Sequence, residues 1–199
     1  MPNYRILLLR TIGGIIMQKR KHIKIALSIL ICVGSIIFLI SQIKLDKCRD
    51  RSATPCAITP DLKALIERIC KYSDSPEKII KECSELVCKK LSFTAKNNIQ
   101  CGKANCVGYA QLTSAIINYA FHVKKLPYKA KPVVGKVYLF GIDLNNVAQK
   151  ILPKKHRPFF KDHDFVEVDL GDKTVFIDSS LQDLTGFTYI QTYINETSH

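Results

Sequence analysis

The chain has 199 residues, 47% of them apolar, and a formal net charge of +13 at neutral pH. This length predicts one domain with accessory segments. The sequence carries no nucleic-acid-binding motif, and its aromatic residues do not alternate with basic ones, so the positive charge does not indicate a nucleic-acid partner.

An uncharged apolar segment covers residues 25–43 and follows a basic stretch, residues 1–24, with six basic and no acidic residues. A helix of these nineteen residues rises about 28 Å, close to the ~30 Å hydrocarbon core of a bilayer. The segment therefore predicts a transmembrane signal anchor, with a cleaved signal peptide as the alternative. Because the basic flank precedes it, we expect a single-pass membrane protein with residues 1–24 in the cytoplasm and the rest of the chain extracytoplasmic.

Beyond the apolar segment, the sequence predicts a charged linker over residues 44–58 and one domain over residues 59–199. Two amphipathic helices open the domain, because Thr59 and Ser75 each suit a helix cap and each precedes a proline. A third helix covers about residues 106–121, within GKANCVGYAQLTSAIINYAF. Strand-like segments follow: KPVVGKVYLF, HDFVEVDL and KTVFIDSS.

Seven of the eight cysteines lie beyond the apolar segment: Cys48, Cys56, Cys70, Cys83, Cys88, Cys101 and Cys106. In an oxidising compartment, cysteines form disulfides where geometry permits, and an odd number leaves a free thiol. We therefore expect up to three disulfides and one reactive thiol. The candidate for that thiol is Cys106, because the backbone N–H groups at the amino end of a helix favour an anion.

The last two predicted strands form a hairpin whose turn lies at Gly171 and Asp172. With a two-residue turn, Asp178 lies opposite Phe165 and therefore on the same face as His163. His163 and Asp178 are then diagonal neighbours, roughly 7–8 Å apart by Cα. A histidine oriented by a carboxylate, together with a thiol at a helix start, is the set of groups that a cysteine acyl-transfer enzyme needs.

The segments CVGYAQL, KPVVGKV, HDFVEV and FIDSS resemble the transglutaminase-like superfamily over about residues 60–182. The resemblance implies an α+β, papain-like fold in which the nucleophile helix packs on an antiparallel β-sheet. It also implies that Cys106 is the nucleophile, His163 the base and Asp178 the acid that orients the base.

The chain departs from the family pattern at three places. Phe165 stands where tryptophan is common, Ser179 stands where proline is common, and the insert at about residues 142–160 is longer than a minimal member needs. The expected oxyanion site includes the backbone N–H of Cys106. Gln100 is a candidate second donor, and its alternative interpretation is a solvated loop residue.

Three other classes of protein fit parts of the pattern. A metal module would use a histidine with Cys83, Cys88, Cys101 and Cys106, but the gaps between these cysteines are loose for structural zinc. A catalytically silent binding or scaffold domain is possible on the same fold, and an acetyltransferase with the same triad would need coenzyme A. The sequence favours an enzyme that acts on protein or peptide amides through a thioester, by hydrolysis or transglutamination, without a metal or organic cofactor.

Overall fold

The computed structural model describes residue 22 and residues 24–39, 41–52, 56–153 and 162–195. The chain divides into two compact units, Met1–Ile43 and Lys44–His199. Most of the basic segment predicted for residues 1–24 lies outside the described residues, as does the end of the predicted insert, from residue 154 onward.

The described part of the first helix, α1, comprises residue 22, residues 24–39 and residue 41. It is followed by a turn in which the Gln42 N–H donates to the Leu39 carbonyl oxygen at 3.2 Å. Ile43, the last residue of the predicted membrane segment, already begins a strand. Within the described residues, no helix combines the length and the apolar character needed to cross a bilayer. The predicted transmembrane anchor, and the single-pass extracytoplasmic placement derived from it, are therefore wrong.

The second unit is built from helices and strands in an α+β arrangement. Its helices are α2 (Pro60–Tyr72), α3 (Pro76–Lys90), α4 (Cys106–Val123), α5 (Leu144–Ile151) and α6 (Ser179–Thr185). Its strands are β1 (Ile43–Asp50, which begins at the unit boundary), β2 (Ser92–Phe93), β3 (Lys103–Ala104), β4 (Lys129–Leu139), β5 (Ile142–Asp143), β6 (His163–Asp169), β7 (Lys173–Ile177) and β8 (Ile190–Ile194). Thr59 and Ser75 cap α2 and α3 with their side chains, as predicted.

The linker predicted for residues 44–58 is wrong over its first half, because β1 occupies that stretch. β1 is an edge strand of the main sheet and lies next to β4. Its charged residues surround a fully buried Leu45. A strand at the edge of a sheet can be held by a single apolar side chain that faces the core while its charged side chains face outward. The sequence of β1 therefore lacks the apolar alternation of a central strand.

The main sheet has the strand order β1-β4-β6-β7-β8, with the short β5 beside β4. β4 pairs antiparallel with β6, β6 with β7, and β7 with β8. The predicted hairpin register is confirmed, since Val166 lies opposite Ile177 and Asp169 opposite Thr174. The apolar faces of α2, α3 and α4 share one core with alternate residues of β6 and β7, among them Ile66, Ile80, Ile116, Val166, Val168, Val175 and Ile177.

The sheet is curled, and side chains from one edge strand reach the other. The Leu45 N–H on β1 donates to Gln191 Oε1 on β8 at 2.8 Å, and the Tyr193 hydroxyl on β8 donates to the Leu45 carbonyl oxygen at 3.0 Å. These two side chains give Leu45 the hydrogen bonds that a neighbouring strand would otherwise provide. They therefore protect this part of the β1 edge from pairing with another chain.

All eight cysteines are free, and no two of them lie at disulfide distance, so the predicted disulfides are wrong. The thiols lie in unrelated environments. Cys70 and Cys83 are buried in the core, where cysteine serves as a small apolar side chain, whereas Cys48 and Cys101 are exposed. Burial also raises the pKa of the Cys83 thiol, which disfavours its reactive form.

Gly135 on β4 lies where the curled sheet leaves no room for a side chain. A Cβ at this position would collide with the Asp46 carbonyl oxygen and lie 2.7 Å from Phe165 Cε1. We expect Gly135→Ala to lower the free energy of unfolding by about 3 kcal/mol, because backbone and a buried ring must both move. Urea denaturation measures this loss. Gly34→Ala is the control, since its Cβ would meet nothing within 4 Å, and equal stability of the two variants would contradict the prediction.

Candidate active site

Cys106 is the first residue of α4, and the preceding residue organises the start of this helix. Asn105 is the cap, and its Oδ1 accepts hydrogen bonds from the Val107 N–H at 3.1 Å and the Gly108 N–H at 3.4 Å. The Asn105 carbonyl oxygen accepts from the Tyr109 N–H. The cap therefore engages the N–H groups that follow Cys106 and leaves the Cys106 N–H without an acceptor among the described residues. That N–H is available to an oxyanion at the thiol.

A loop before α4 holds this helix start in place. Asn97 Oδ1 accepts the Asn105 N–H at 2.8 Å. Asn97 lies so close to Gly108 that a Cβ on the glycine would be 2.6 Å from Asn97 Oδ1 and 2.8 Å from the Ala104 side chain. Gly108 is thus needed for close packing of the loop on the first turn of α4.

His163 begins β6, and its Nε2 lies 2.5 Å from Asp178 Oδ2. The predicted proximity of these two side chains is confirmed. The Asp178 side chain is 1% exposed and that of His163 is 19% exposed, so the pair is largely shielded from water but the imidazole remains accessible. With Nε2 engaged by the carboxylate, Nδ1 is the ring nitrogen left for another partner.

The candidate for that partner is Cys106, whose thiol interacts with His163 and raises the pKa of the imidazole. Burial lowers the pKa of His163, but the Asp178 carboxylate, its hydrogen bond to the imidazole and the interaction with Cys106 outweigh burial and hold that pKa well above its ordinary value. The imidazole is therefore a stronger base than a free histidine. The site thus combines a thiol that interacts with an imidazole and a carboxylate that is hydrogen-bonded to the same imidazole.

Asp178 does not lie on a strand, because β7 ends at Ile177 and α6 begins at Ser179. The strand predicted for KTVFIDSS is therefore too long. Asp178 caps α6, and its Oδ1 accepts the Leu181 N–H at 2.9 Å and the Ser180 hydroxyl at 2.7 Å, while Oδ2 faces His163. Burial raises the pKa of Asp178, but the contacts with His163, Leu181 and Ser180 outweigh it and lower that pKa, so the carboxylate stays charged.

A buried network of hydroxyl groups fixes α6 relative to the helix that carries the thiol. The Ser179 hydroxyl lies 2.8 Å from Thr113 Oγ1 on α4 and 2.8 Å from Ser84 Oγ on α3. Ser84 also donates to Gln182 Oε1 at 2.7 Å. Sequence reasoning missed this network, although polar residues at positions where α3 and α4 turn toward the core were a signal for it. Its effect is to hold Asp178, next to Ser179, at a set distance from α4.

Two arginines, one at the end of β1 and one just after it, form ion pairs with the carboxylates on either side of His163 in the sequence. Arg51 forms a bidentate ion pair with the buried Asp164, and Arg49 pairs with Asp162 at 3.0 Å. Both carboxylates are immediate neighbours of His163 in sequence. Because the sequence predicted a linker over residues 44–58, it gave no reason to expect these ion pairs.

The fourth predicted site residue, Gln100, is not among the residues whose contacts with His163 and Asp178 are described above. Gln100 is exposed on the 3₁₀ turn Ile99–Cys101. It lines a cavity of about 490 Å³ together with residues of α2 and α3 such as Leu62 and Lys90, and the lining of this cavity includes neither Cys106 nor His163. The role of Gln100 as a second oxyanion donor stays a prediction.

Within the described residues, no group of three or more histidine, cysteine, aspartate and glutamate side chains is arranged to hold a metal ion. The arrangement at Cys106 can instead perform nucleophilic chemistry. His163 can take the thiol proton, Asp178 can stabilise the resulting imidazolium, and the Cys106 N–H can bind a developing oxyanion. Comparison of the chain with protein-family models, curated proteins and solved structures found no match.

Proposed function

We propose that the chain is a cysteine enzyme that transfers the acyl group of a protein or peptide amide, by a transglutaminase-like mechanism. The observation that carries the proposal is the hydrogen bond between His163 and the buried Asp178, together with the interaction of the Cys106 thiol with the same imidazole. Each of these residues comes from a different element, α4, β6 and the cap of α6. A purely structural role would not require a half-buried thiol beside a histidine that is paired with a buried carboxylate.

In the first half of the reaction, Sγ of Cys106 attacks the amide carbonyl carbon as His163 takes the thiol proton. The carbonyl oxygen becomes an oxyanion beside the Cys106 N–H. His163 then gives the proton to the leaving nitrogen, the C–N bond breaks, and a thioester remains on Cys106. In the second half, His163 takes a proton from water or from a primary amine, which attacks the thioester and restores the thiol. Hydrolysis is the simpler outcome, because it needs no second binding site.

The test is to trap the nucleophile in the full-length protein. A peptide that carries a chloromethyl ketone in place of a glutamine side-chain amide presents a reactive carbon where the scissile carbonyl would lie. We expect one equivalent of adduct at Cys106, formed faster than at Cys48 or Cys101. These two thiols are more exposed than Cys106 and serve as internal controls within the same molecule.

The location of the adduct by peptide mass spectrometry decides between the alternatives. Faster labelling of the exposed thiols, with no release of ammonia or amine from any glutamine peptide, would remove the enzyme proposal and favour a silent binding domain. Labelling of Cys106 that stops when His163 is replaced by glutamine would support the base assignment. His163→Gln keeps a polar side chain of similar reach but cannot accept the thiol proton.

A further inference from the structure

The segment that contains Cys106 has a one-sided charge distribution. Residues 86–142 include nine lysines and no aspartate, glutamate or arginine. The whole of α4, the loop before it and β4 therefore bring only positive formal charge to the domain. What matters for a substrate is which of these lysines lie close to the thiol.

Two of them lie in the loop that holds the start of α4. Lys96 is between Ala95, whose carbonyl oxygen accepts the Asn105 Nδ2–H at 3.5 Å, and Asn97, whose Oδ1 accepts the Asn105 N–H at 2.8 Å. Lys103 is three residues before Cys106 and pairs with the loop through backbone bonds to Asn98. Both lysines are exposed. Their backbone is therefore part of the loop that packs on the start of α4, and their side chains are open to solvent.

Three carboxylates near the histidine are already paired with charged groups, whereas a fourth, Asp183, has only uncharged partners and offsets one of the two lysine charges. The pairs are Asp178 with His163, Asp162 with Arg49, and Asp164 with Arg51. Asp183 on α6 accepts hydrogen bonds from the Tyr109 hydroxyl at 2.8 Å and the Phe93 N–H at 3.2 Å. Among the described residues, neither Lys96 nor Lys103 forms an ion pair. The uncompensated charge at the start of α4 is positive.

We propose that Lys96 and Lys103 make the approach to Cys106 selective for acidic peptide segments, with aspartate or glutamate next to the amide that reacts. The inference rests on the proposed function and specifies its substrate class. Unpaired surface charges act over about one Debye length, about 8 Å at physiological salt, and they accelerate the encounter with a ligand of opposite charge. A basic peptide would be repelled by the same two ammonium groups.

The first test compares two small alkylating reagents that differ in charge. A thiolate attacks the same methylene carbon in iodoacetate and in iodoacetamide and displaces iodide from both, but only iodoacetate is an anion. The ratio of their rates at Cys106 therefore measures the local electrostatic potential without any knowledge of the substrate. We expect Lys96→Gln/Lys103→Gln to lower this ratio about five-fold at low salt, and the difference from the parent to disappear at about 1 M salt.

The matched control is Lys71→Gln/Lys81→Gln, which removes the same charge elsewhere. Lys71 is near the end of α2, two residues before Ser73, and the Ser73 carbonyl oxygen accepts from Lys124 at the far end of α4 from Cys106. Lys81 is beside Glu82, which also contacts Ser73. We expect this variant to keep the parent ratio. The inference is overturned if the two double variants give the same ratio as each other.

The second test uses glutamine peptides flanked by aspartate or by asparagine, which have the same shape and differ in charge. We expect kcat/KM to be about five-fold higher for the aspartate peptide, and Lys96→Gln/Lys103→Gln to remove that preference. Turnover of both peptides at equal rates would overturn the inference and leave the proposed function standing. A Cys106 thiol inert toward both reagents, with no turnover of either peptide, would overturn the proposed function and the inference with it.

Discussion

Replacement of Cys106 with alanine will abolish amide turnover, with a loss of about 10⁵-fold or more, as expected when the nucleophile of a coupled catalytic unit is removed. The fold should survive, because the cap of α4 is built by the Asn105 side chain and does not involve the thiol. Alanine is also favourable within a helix. Turnover of a glutamine peptide and thermal unfolding of the same preparations measure the two effects separately.

The control for this variant is Cys101→Ala, which removes an exposed thiol five residues earlier. It should keep the parent activity. If Cys106→Ala retained turnover within ten-fold of the parent, the thioester mechanism would be excluded. If Cys101→Ala lost activity to the same extent, the nucleophile would not be assigned to Cys106.

Asp178→Asn will lower kcat by about 10³- to 10⁴-fold while the protein still folds. The asparagine Oδ1 can accept the same hydrogen bonds from Leu181 and Ser180, so the cap of α6 is kept. Its Nδ2, however, donates toward His163 Nε2. The imidazole proton then moves to Nδ1, which faces the thiol, and a protonated Nδ1 cannot take the thiol proton.

The pH dependence of Cys106 alkylation gives a second measurement for this variant. In the parent, Asp178 holds the pKa of His163 well above its ordinary value, so the imidazolium persists to higher pH than in a free histidine. Without the carboxylate this pKa falls, and the upper limb of the pH profile should move to lower pH. Asp183→Asn is the control, because Asp183 is a partly buried carboxylate near α4 that contacts Tyr109 and Phe93 rather than His163. An unshifted upper limb in Asp178→Asn would contradict the assignment.

The same pair makes the stability of the parent depend on pH in two directions. The pKa of Asp178 is lowered on folding, so its contribution to stability is present above the ordinary pKa of a carboxylate and is lost as pH falls through the lowered value. The pKa of His163 is raised, so its contribution is present below the ordinary pKa of histidine and is lost as pH rises through the raised value. Asp178→Asn should flatten both limbs of the unfolding free energy.

Local patterns in the sequence were sufficient for several parts of the domain. The caps at Thr59 and Ser75 and the prolines that follow them act within one helical turn, so neighbouring residues determine them. The hairpin register depends on Gly171 and on the alternation of β6 and β7, both of which lie within a short stretch of chain. The closeness of His163 and Asp178 follows from that register alone.

Other features depend on contacts between residues far apart in the chain, and for these features the predictions from sequence were wrong or absent. The apolar run that suggested a membrane segment ends at Ile43, which is already the first residue of β1. Leu45, two residues later, is buried against a sheet whose other strands come more than eighty residues later in the chain. The count of cysteines suggested disulfides, but pairing requires specific distances, and no two of the eight cysteines lie at disulfide distance. Composition cannot supply such distances.

The sequence by itself determined the local elements: the capped helices, a cysteine at the first position of α4, and a hairpin that brings a histidine and an aspartate together. Only the tertiary structure decided that Asp178 caps a helix, that Ser179 joins this cap to α4 through Thr113, and that the imidazole meets the thiol. The physical reason is the range of the interactions involved. Caps, turns and alternation act over a few residues, whereas the contact between α4 and β6 requires the whole core to pack first.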